Sequence, residues 1–284
     1  MDKLIKAIRK SVNLSQEEFA RKLGTTPLSV NRWENGKTCP NKMAQVQLLD
    51  FCKRNNIDMF DFVVKQFSRK FFNGELIVYH GSKKGLHGKI GPKSREGCDF
   101  GKGFYLGTDP IQPLTLICGE EKPIFYTMKL NLTGLRVLKL EMNIDWAMVI
   151  AFSRGYMDEA KGSKIYKKYK KMIDGYDVIV GCIADDRMYR VMNSFFEKEI
   201  TDVALINSLS ALDLGYQYVC KSIKACSRLE ILDKRELSPL ELGILQDKSI
   251  ARRKAGIEIT EKVLRQYRRE GRYFDEILGG DNDD

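Results

Sequence analysis

The sequence predicts an all-α front unit carrying a helix-turn-helix, followed by an α+β unit and a helical tail. Three observations predict it. Residues 1–66 hold two short, capped helices joined by a glycine turn. Residues 73–234 hold strand-like apolar runs at uneven spacing with helical segments grouped between them, which favours α+β over a repeated βαβ sheet. Residues 235–284 return to an interrupted helical period. The chain has 284 residues, room for one unit of about 60 to 70 and one of about 200. Its hydrophobic content is 43%, enough for both to bury cores.

In the front unit, Leu4, Ile5 and Ile8 share one helical face. Ser15 is placed to cap the next helix, with Glu18 three residues on as its box partner. Phe19, Ala20 and Leu23 then face inward, and Gly24 stops the helix. Thr26 caps the following helix, Pro27 takes its first position, Val30 and Trp33 are its apolar contacts, and Gly36 ends it. A third periodic run supplies Met43, Val46, Leu49, Phe51 and Cys52, and Phe60 follows. Leu49 and Phe60 are expected to be fully buried. The junction VVKQFSRKFFNGEL is short and basic, with Phe67, Phe71 and Phe72 interspersed, so the boundary falls near residues 66 to 72 and the units stay close.

The stretch LSQEEFARKLGTTPLSVNRWENG resembles the helix-turn-helix of the phage-repressor and Cro class, over residues 3 to 64. That resemblance implies double-stranded DNA as a partner. It implies that Gln16 braces backbone phosphates and that Pro27, Leu28, Asn31 and Arg32 face the major groove. Lys37, Asn41 and Lys42 would lie near the second strand's phosphates. Pro27 and Leu28 replace polar groups that usually read bases, although Leu28 can touch a thymine methyl. A homodimer is expected, because one unit reads half an operator. The plain alternative is a packing or dimerising module.

Charge and cysteine usage agree with a DNA-binding protein without requiring one. The net charge of +10 favours polyanionic partners, and solubility alone also explains it. The seven cysteines, Cys39, Cys52, Cys98, Cys118, Cys182, Cys220 and Cys226, form no CxxC pair. With two histidines in the chain, no zinc spacing appears and no metal is expected. These features read as a reduced, cytoplasmic protein with unpaired thiols. Polar residues interrupt every apolar stretch, so neither a signal peptide nor a membrane span is expected.

The second unit opens on ELIVYHG, a short strand ending at His80. GKGFYLGTD is a turn that runs into a strand. It is not the dinucleotide fingerprint, because no strand precedes it and no helix follows its second glycine. PIFYTMKLNL, LRVLKLEM, YDVIVGCIADD, YQYVCKS and RLEILDKREL supply further strands, with helical segments at about 143 to 173 and 197 to 211. A histidine at a strand end followed by glycine can place its ring in a cleft. Gly101 and Gly103 allow close backbone approach, and Tyr105 offers a flat face with a polar tip. The alternatives are a satisfied structural histidine, with Phe104 and Tyr105 as ordinary strand core.

YHGS, DFGKGFYLGTD, YDVIVGCIADD and the late QYVCKS, in this order, resemble the ADP-ribosyltransferase fold in its diphtheria-toxin-like branch, over residues 75 to 232. The resemblance implies a split sheet, NAD as the cofactor, and a cleft between two twisted sheets. It implies that His80 binds the ribose next to nicotinamide, that Tyr105, with Phe104, clamps the ring, and that Gly81 and Ser82 lie near the amide. Lys102 would meet the pyrophosphate beside Gly101 and Gly103. At the position of the family's catalytic glutamate stands Gln217, which lacks the charge that favours a cationic transition state. Asp185, Asp186, Glu120 and Asp99 are candidates to replace it. His87, in the basic loop GLHGKIG, is not assigned a role.

The tail, residues 235–284, carries an apolar stripe and a basic surface, suited to packing, a partner or added nucleic-acid contact. Two functions follow. One is a DNA-binding NAD-dependent ADP-ribosyltransferase, as a self-regulated toxin or phage-defence effector acting on a protein or nucleic-acid acceptor. The other is a transcriptional regulator whose catalytically weak domain senses NAD or a related nucleotide.

Overall fold

The computed structural model describes residues 1–68, 75–183, 186–210, 215–267 and 270–279. Five helices form the front unit: α1 (Asp2–Ser11), α2 (Gln16–Leu23), α3 (Pro27–Glu34), α4 (Lys42–Arg54) and α5 (Phe60–Phe67). The expected caps are present. Ser15 and Glu18 close a capping box on α2, Gly24 ends it in the left-handed region at φ 65°, and the Thr26 hydroxyl accepts from the Ser29 N–H on α3. Each cap satisfies a donor that a helix end leaves unpaired. Leu4, Ile5, Ile8, Phe19, Val30 and Phe60 are buried as their spacing predicts. Within α4 the buried face is offset from the expected one. Leu48 is fully buried and Leu49 only partly, while Met43 and Val46 are exposed. The face was misread because α4 has apolar residues on two sides, and Leu49 belongs to a contact outside the front unit.

The second unit contains β1 (Ile77–Ser82), β2 (Phe104–Gly107), α6 (Ile111–Ile117), β3 (Ile124–Leu130), β4 (Val137–Lys139), α7 (Ile144–Arg154) and α8 (Lys164–Ile173). It continues through β5 (Val178–Cys182), α9 (Asp186–Phe196), α10 (Asp202–Ser210), β6 (Tyr216–Cys220), the short α11 (Ile223–Cys226) and β7 (Leu229–Glu236). All the expected strands are present, while α6 and α9 were not anticipated. Asp186 opens α9, so part of the acidic end of YDVIVGCIADD is a helix start.

The strands form one seven-stranded mixed sheet in the order β4-β5-β6-β2-β1-β3-β7, parallel only between β4 and β5. This corrects the expectation of two separate sheets. Its middle is nonetheless weak. β1 pairs with β3 over six registers and β2 with β6 over four, but β1 and β2 share the single pair Tyr79↔Gly107. Two half-sheets therefore meet at one rung.

Cross-strand register puts Tyr79, Gly107, Gln217 and Gly181 in one row, hence on one face. On that face, Tyr79 and Phe125 pack under the front unit, and Gly181 faces Phe100 and Trp146 beneath α7. The opposite face holds Val78, Phe104, Leu106, Tyr126 and Met128, covered by Leu86 and Ile90 of the β1–β2 connection and by α11. The major helices thus lie together on one side of the sheet, an α+β arrangement.

The tail is not an appended extension. The expected boundary at 234/235 falls inside β7, and α12 (Pro239–Gln266) starts three residues after it, followed by α13 (Phe274–Gly279). The first half of α12 runs between α4, α5 and α6, and the helix as a whole also meets α9 and α10. Leu240 and Leu245 are fully buried in the same core as Leu4 and Phe60.

Candidate functional site

The front unit presents the exposed end of α3. Pro27, Leu28, Arg32 and Lys37 are exposed, as are Asn41 and Lys42 at the start of α4. Leu28 leaves 58% of its surface in water. Asn41 also caps α4, its side-chain oxygen accepting from the Ala44 N–H at 2.9 Å. Gln16 and Asn31 are used inside the motif. Asn31 donates to Gln16 at 3.2 Å, and Gln16 donates to Glu34 at 2.8 Å. Glu34 also takes two hydrogen bonds from Arg9, at 2.7 and 2.8 Å. Burial pushes the Glu34 carboxyl up, but the hydrogen bonds from Arg9 and Gln16 hold it below its ordinary value. One carboxylate therefore fixes the relative setting of α1, α2 and α3. Its role was not legible in the sequence, where Glu34 is only part of the RWENG close.

The second candidate site lies where the sheet splits. Past the Tyr79↔Gly107 rung, the His80 ring takes over, with Nδ1 2.8 Å from the Tyr105 carbonyl. The imidazole stacks on Phe104 with ring centroids 4.4 Å apart. Burial lowers the His80 pKa below 6.5, and the hydrogen bond to the Tyr105 carbonyl offsets this only in part. The ring is therefore neutral near pH 7. Because a carbonyl only accepts, Nδ1 carries the proton and Nε2 is left as an acceptor.

Tyr105 does not face this imidazole. Neighbouring strand residues point to opposite faces, and the imidazole lies on Phe104. The expected convergence of imidazole and phenol is corrected: His80 meets Tyr105 through its backbone. The phenol instead closes the glycine turn, donating to the Gly101 carbonyl at 2.8 Å and accepting from the Phe100 N–H at 3.0 Å. Burial raises its pKa.

The glycines have packing reasons. A Cβ on Gly81 would stand 2.6 Å from the Pro113 carbonyl oxygen, and one on Gly103 would stand 2.3 Å from Val219 Cγ1. Gly101 has φ +70°. Ser82 ends β1 opposite Ile124. Lys102 does not turn inward to meet a pyrophosphate: it is exposed and pairs with Glu96 at 2.7 Å. The cation at the turn is Lys221, whose Nζ donates to the Phe100 carbonyl. Burial pulls its pKa down to about 8. His87 is exposed.

Gln217 is buried in the row that contains Tyr79 and Gly107, on the face opposite the His80 ring, so the expected meeting of His80 and Gln217 at one ribose is corrected. Its amide donates to Asp99 Oδ2 and to the Cys182 carbonyl, both at 3.0 Å. With both hydrogens used, Oε1 is the atom it has left to offer, an acceptor. Asp99 in turn forms an ion pair with Arg154 at the end of α7. Of the substitute acids, Asp99 is the one brought to Gln217, but its charge is offset by Arg154. Glu120 pairs with Lys83 at 2.5 Å. Asp185 lies outside the described residues, as does the side chain of Asp186. Arg154 was missed because nothing in the sequence links positions 99, 154 and 217.

All seven cysteines are free. Among the described residues, no group of three His, Cys, Asp or Glu residues could hold a metal ion, and no helix is long and apolar enough to cross a membrane.

No curated protein and no solved structure matches the chain. Residues 5–51 match the helix-turn-helix family model, which covers most of α1, all of α2 and α3 and most of α4, and supports DNA binding by the front unit. Residues 76–231, from the start of β1 into β7, match the model of a family described as protein of unknown function (DUF3990), and since that match spans more than half of the 284 residues, the chain belongs to this family.

Proposed function

We propose that the chain is a DNA-bound regulator whose second unit holds NAD at the split in the sheet and transfers ADP-ribose from it. One observation carries the reading: a neutral imidazole sits where the β1–β2 ladder stops, with Nε2 free of the Tyr105 hydrogen bond. An acceptor nitrogen there suits a ribose hydroxyl on the face that Phe104 shares, opposite the face of Gln217. Phe104 holds the imidazole plane, and the Tyr105 phenol with Lys221 holds the turn between residues 98 and 103. Bound there, NAD supplies an activated bond between its ribose and nicotinamide. The chain's own part is to fix the ribose and keep the glycine turn closed.

A second reading, binding without turnover, is favoured by Gln217, which carries no charge and stands on the face opposite the His80 ring. Its amide is neutral, and the nearby Asp99 carboxylate is already paired with Arg154. Positive charge developing on the ribose would then find little stabilisation.

The test is nicotinamide release from NAD by the purified chain, beside binding by calorimetry. Transfer requires release that His80→Ala abolishes while the melting temperature is kept. Binding without release selects the second reading. If NAD neither binds nor turns over, both readings fall. The DNA-binding unit has its own test, since Arg32→Ala should weaken duplex binding without altering the fold.

A further inference from the structure

Helix α8 has a composition that its own packing does not explain. Ser163 caps it, and Ile165 and Tyr169 bury its inner face. Its outer face carries Lys164, Lys167, Lys168, Lys170 and Lys171, all exposed, and the helix contains no acid. Lys164, Lys167, Lys168 and Lys171 fall at the i, i+3, i+4 and i+7 spacing of one stripe. Like charges so placed each destabilise a helix by about 0.2–0.5 kcal/mol. Lys168 is relieved by Asp145 at 3.1 Å. Among the described residues, no carboxylate pairs with Lys167, Lys170 or Lys171. Beyond the helix, the exposed Arg136 lies over the Tyr176 ring at 5.3 Å and extends the positive surface.

The position of α8 matters as much as its charge. It packs on α7, it precedes β5 in the chain, and its Tyr169 belongs to the same core as Ile179 of β5, at the β4–β5 end of the sheet. The front unit packs over the β1–β3–β7 end, where Phe67 meets Phe125 at 5.0 Å. Six strand steps of about 4.8 Å put the two edge strands on the order of 30 Å apart. One turn of duplex DNA measures about 34 Å.

We infer that α8 is a second DNA contact, binding backbone phosphates about one helical turn beyond the site engaged by α3. The occupant is double-stranded DNA because the helix-turn-helix family match supports DNA binding by this protein and because Lys167, Lys170 and Lys171, which no carboxylate pairs among the described residues, complement phosphate. The contact carries no base information. It rests on DNA binding by the front unit and is independent of NAD chemistry.

The test measures duplex affinity against salt, by fluorescence anisotropy, with random-sequence hairpin duplexes of about 7 and about 36 base pairs, the first shorter and the second longer than the turn length. The variant is Lys167→Gln/Lys170→Gln/Lys171→Gln, which keeps exposed, helix-compatible side chains; an unchanged melting temperature establishes its fold. Each neutralised phosphate contact contributes about 0.9 to the slope of log affinity on log salt, so the variant should lose about 2 to 3 on the long duplex. The short duplex should show no change. An unchanged slope on the long duplex, or an equal loss on both lengths, overturns the proposal. Arg32→Ala should weaken both lengths alike. If it weakens neither while the lysine variant still acts on the long duplex alone, Arg32 is not the groove contact, and the α8 phosphate contact stands beside another contact of the front unit.

Discussion

At Gln217 the side-chain amide does what a carboxylate cannot. It donates twice, to Asp99 and to the Cys182 carbonyl, inside a buried pocket. Gln217→Glu would lose both donations and set two carboxylates about as close as the present 3.0 Å contact. The expected loss is about 3 kcal/mol of stability at pH 7. Repulsion from Asp99 raises the new carboxyl's pKa in the folded state above its unfolded value of about 4.3. The cost therefore grows as pH rises through that region and shrinks at acid pH. Melting temperatures of wild type and variant should differ strongly at pH 7 and converge near pH 4; a constant gap would contradict this electrostatic account. His80 has the opposite sign. Its folded pKa lies below 6.5, so the unfolded chain binds more protons once the pH falls under that value. Its contribution is complete above pH 6.5 and is lost on acidification. His80→Gln should flatten the difference in melting temperature between pH 6.5 and 5. A variant as acid-sensitive as the wild type would remove His80 from this part of the stability curve.

At the scale of elements, capping and alternation were legible because they are local. Ser15, Gly24, Thr26 and Pro27 announce the ends of α2 and α3 within four residues, and each strand of the second unit announces itself by an apolar run. The glycine turn was legible as a turn but not for its purpose. Its glycines looked suited to a ligand, yet Gly103 is required because the chain returns so close to β6 that a Cβ would stand 2.3 Å from Val219 Cγ1. That contact joins residues distant in sequence, and no local pattern encodes it. The same limit hid the side to which Tyr105 turns, and the partners of Asp99. Gly103→Ala should cost about 1–3 kcal/mol by overpacking. It should also free the Tyr105 phenol from Gly101, visible as a shift in tyrosine absorbance. Wild-type stability in this variant would mean that β6 yields at no cost and that the turn is looser than its side-chain ties suggest.

For the whole molecule, the decisive contacts lie between α4 and α12. Gln45 donates to the Pro40 carbonyl at 3.0 Å and accepts from the Leu240 N–H at 3.2 Å, so a buried amide of the front unit caps the first turn of α12. Beside it, Leu49 packs on Gly243 so tightly that a Cβ there would stand 2.2 Å from Leu49 Cδ2. Phe67 lies against Phe125, with Arg235 over its ring at 3.9 Å, while Lys248 reaches Asp58 at 2.6 Å. One hydrophobic core therefore runs from Leu4 to Leu245, and a tether that looked like a linker in sequence joins two units already docked. Partial exposure of Leu49 within the front unit has the same origin, since its partner is a glycine nearly two hundred positions away. Units that share a core unfold together, so calorimetry of the wild type should give a single transition. Gly243→Leu inserts a branched side chain against Leu49, which can yield only by moving α4 off α12. The front unit keeps its own buried set of Leu4, Ile5, Ile8 and Phe19, and so it should survive that displacement as a separately melting, duplex-binding body. Two transitions in the variant and one in the wild type are the expected result. Two transitions in the wild type would break the link between the groove-facing helix and the split sheet on which any coupling of DNA binding to the second site depends.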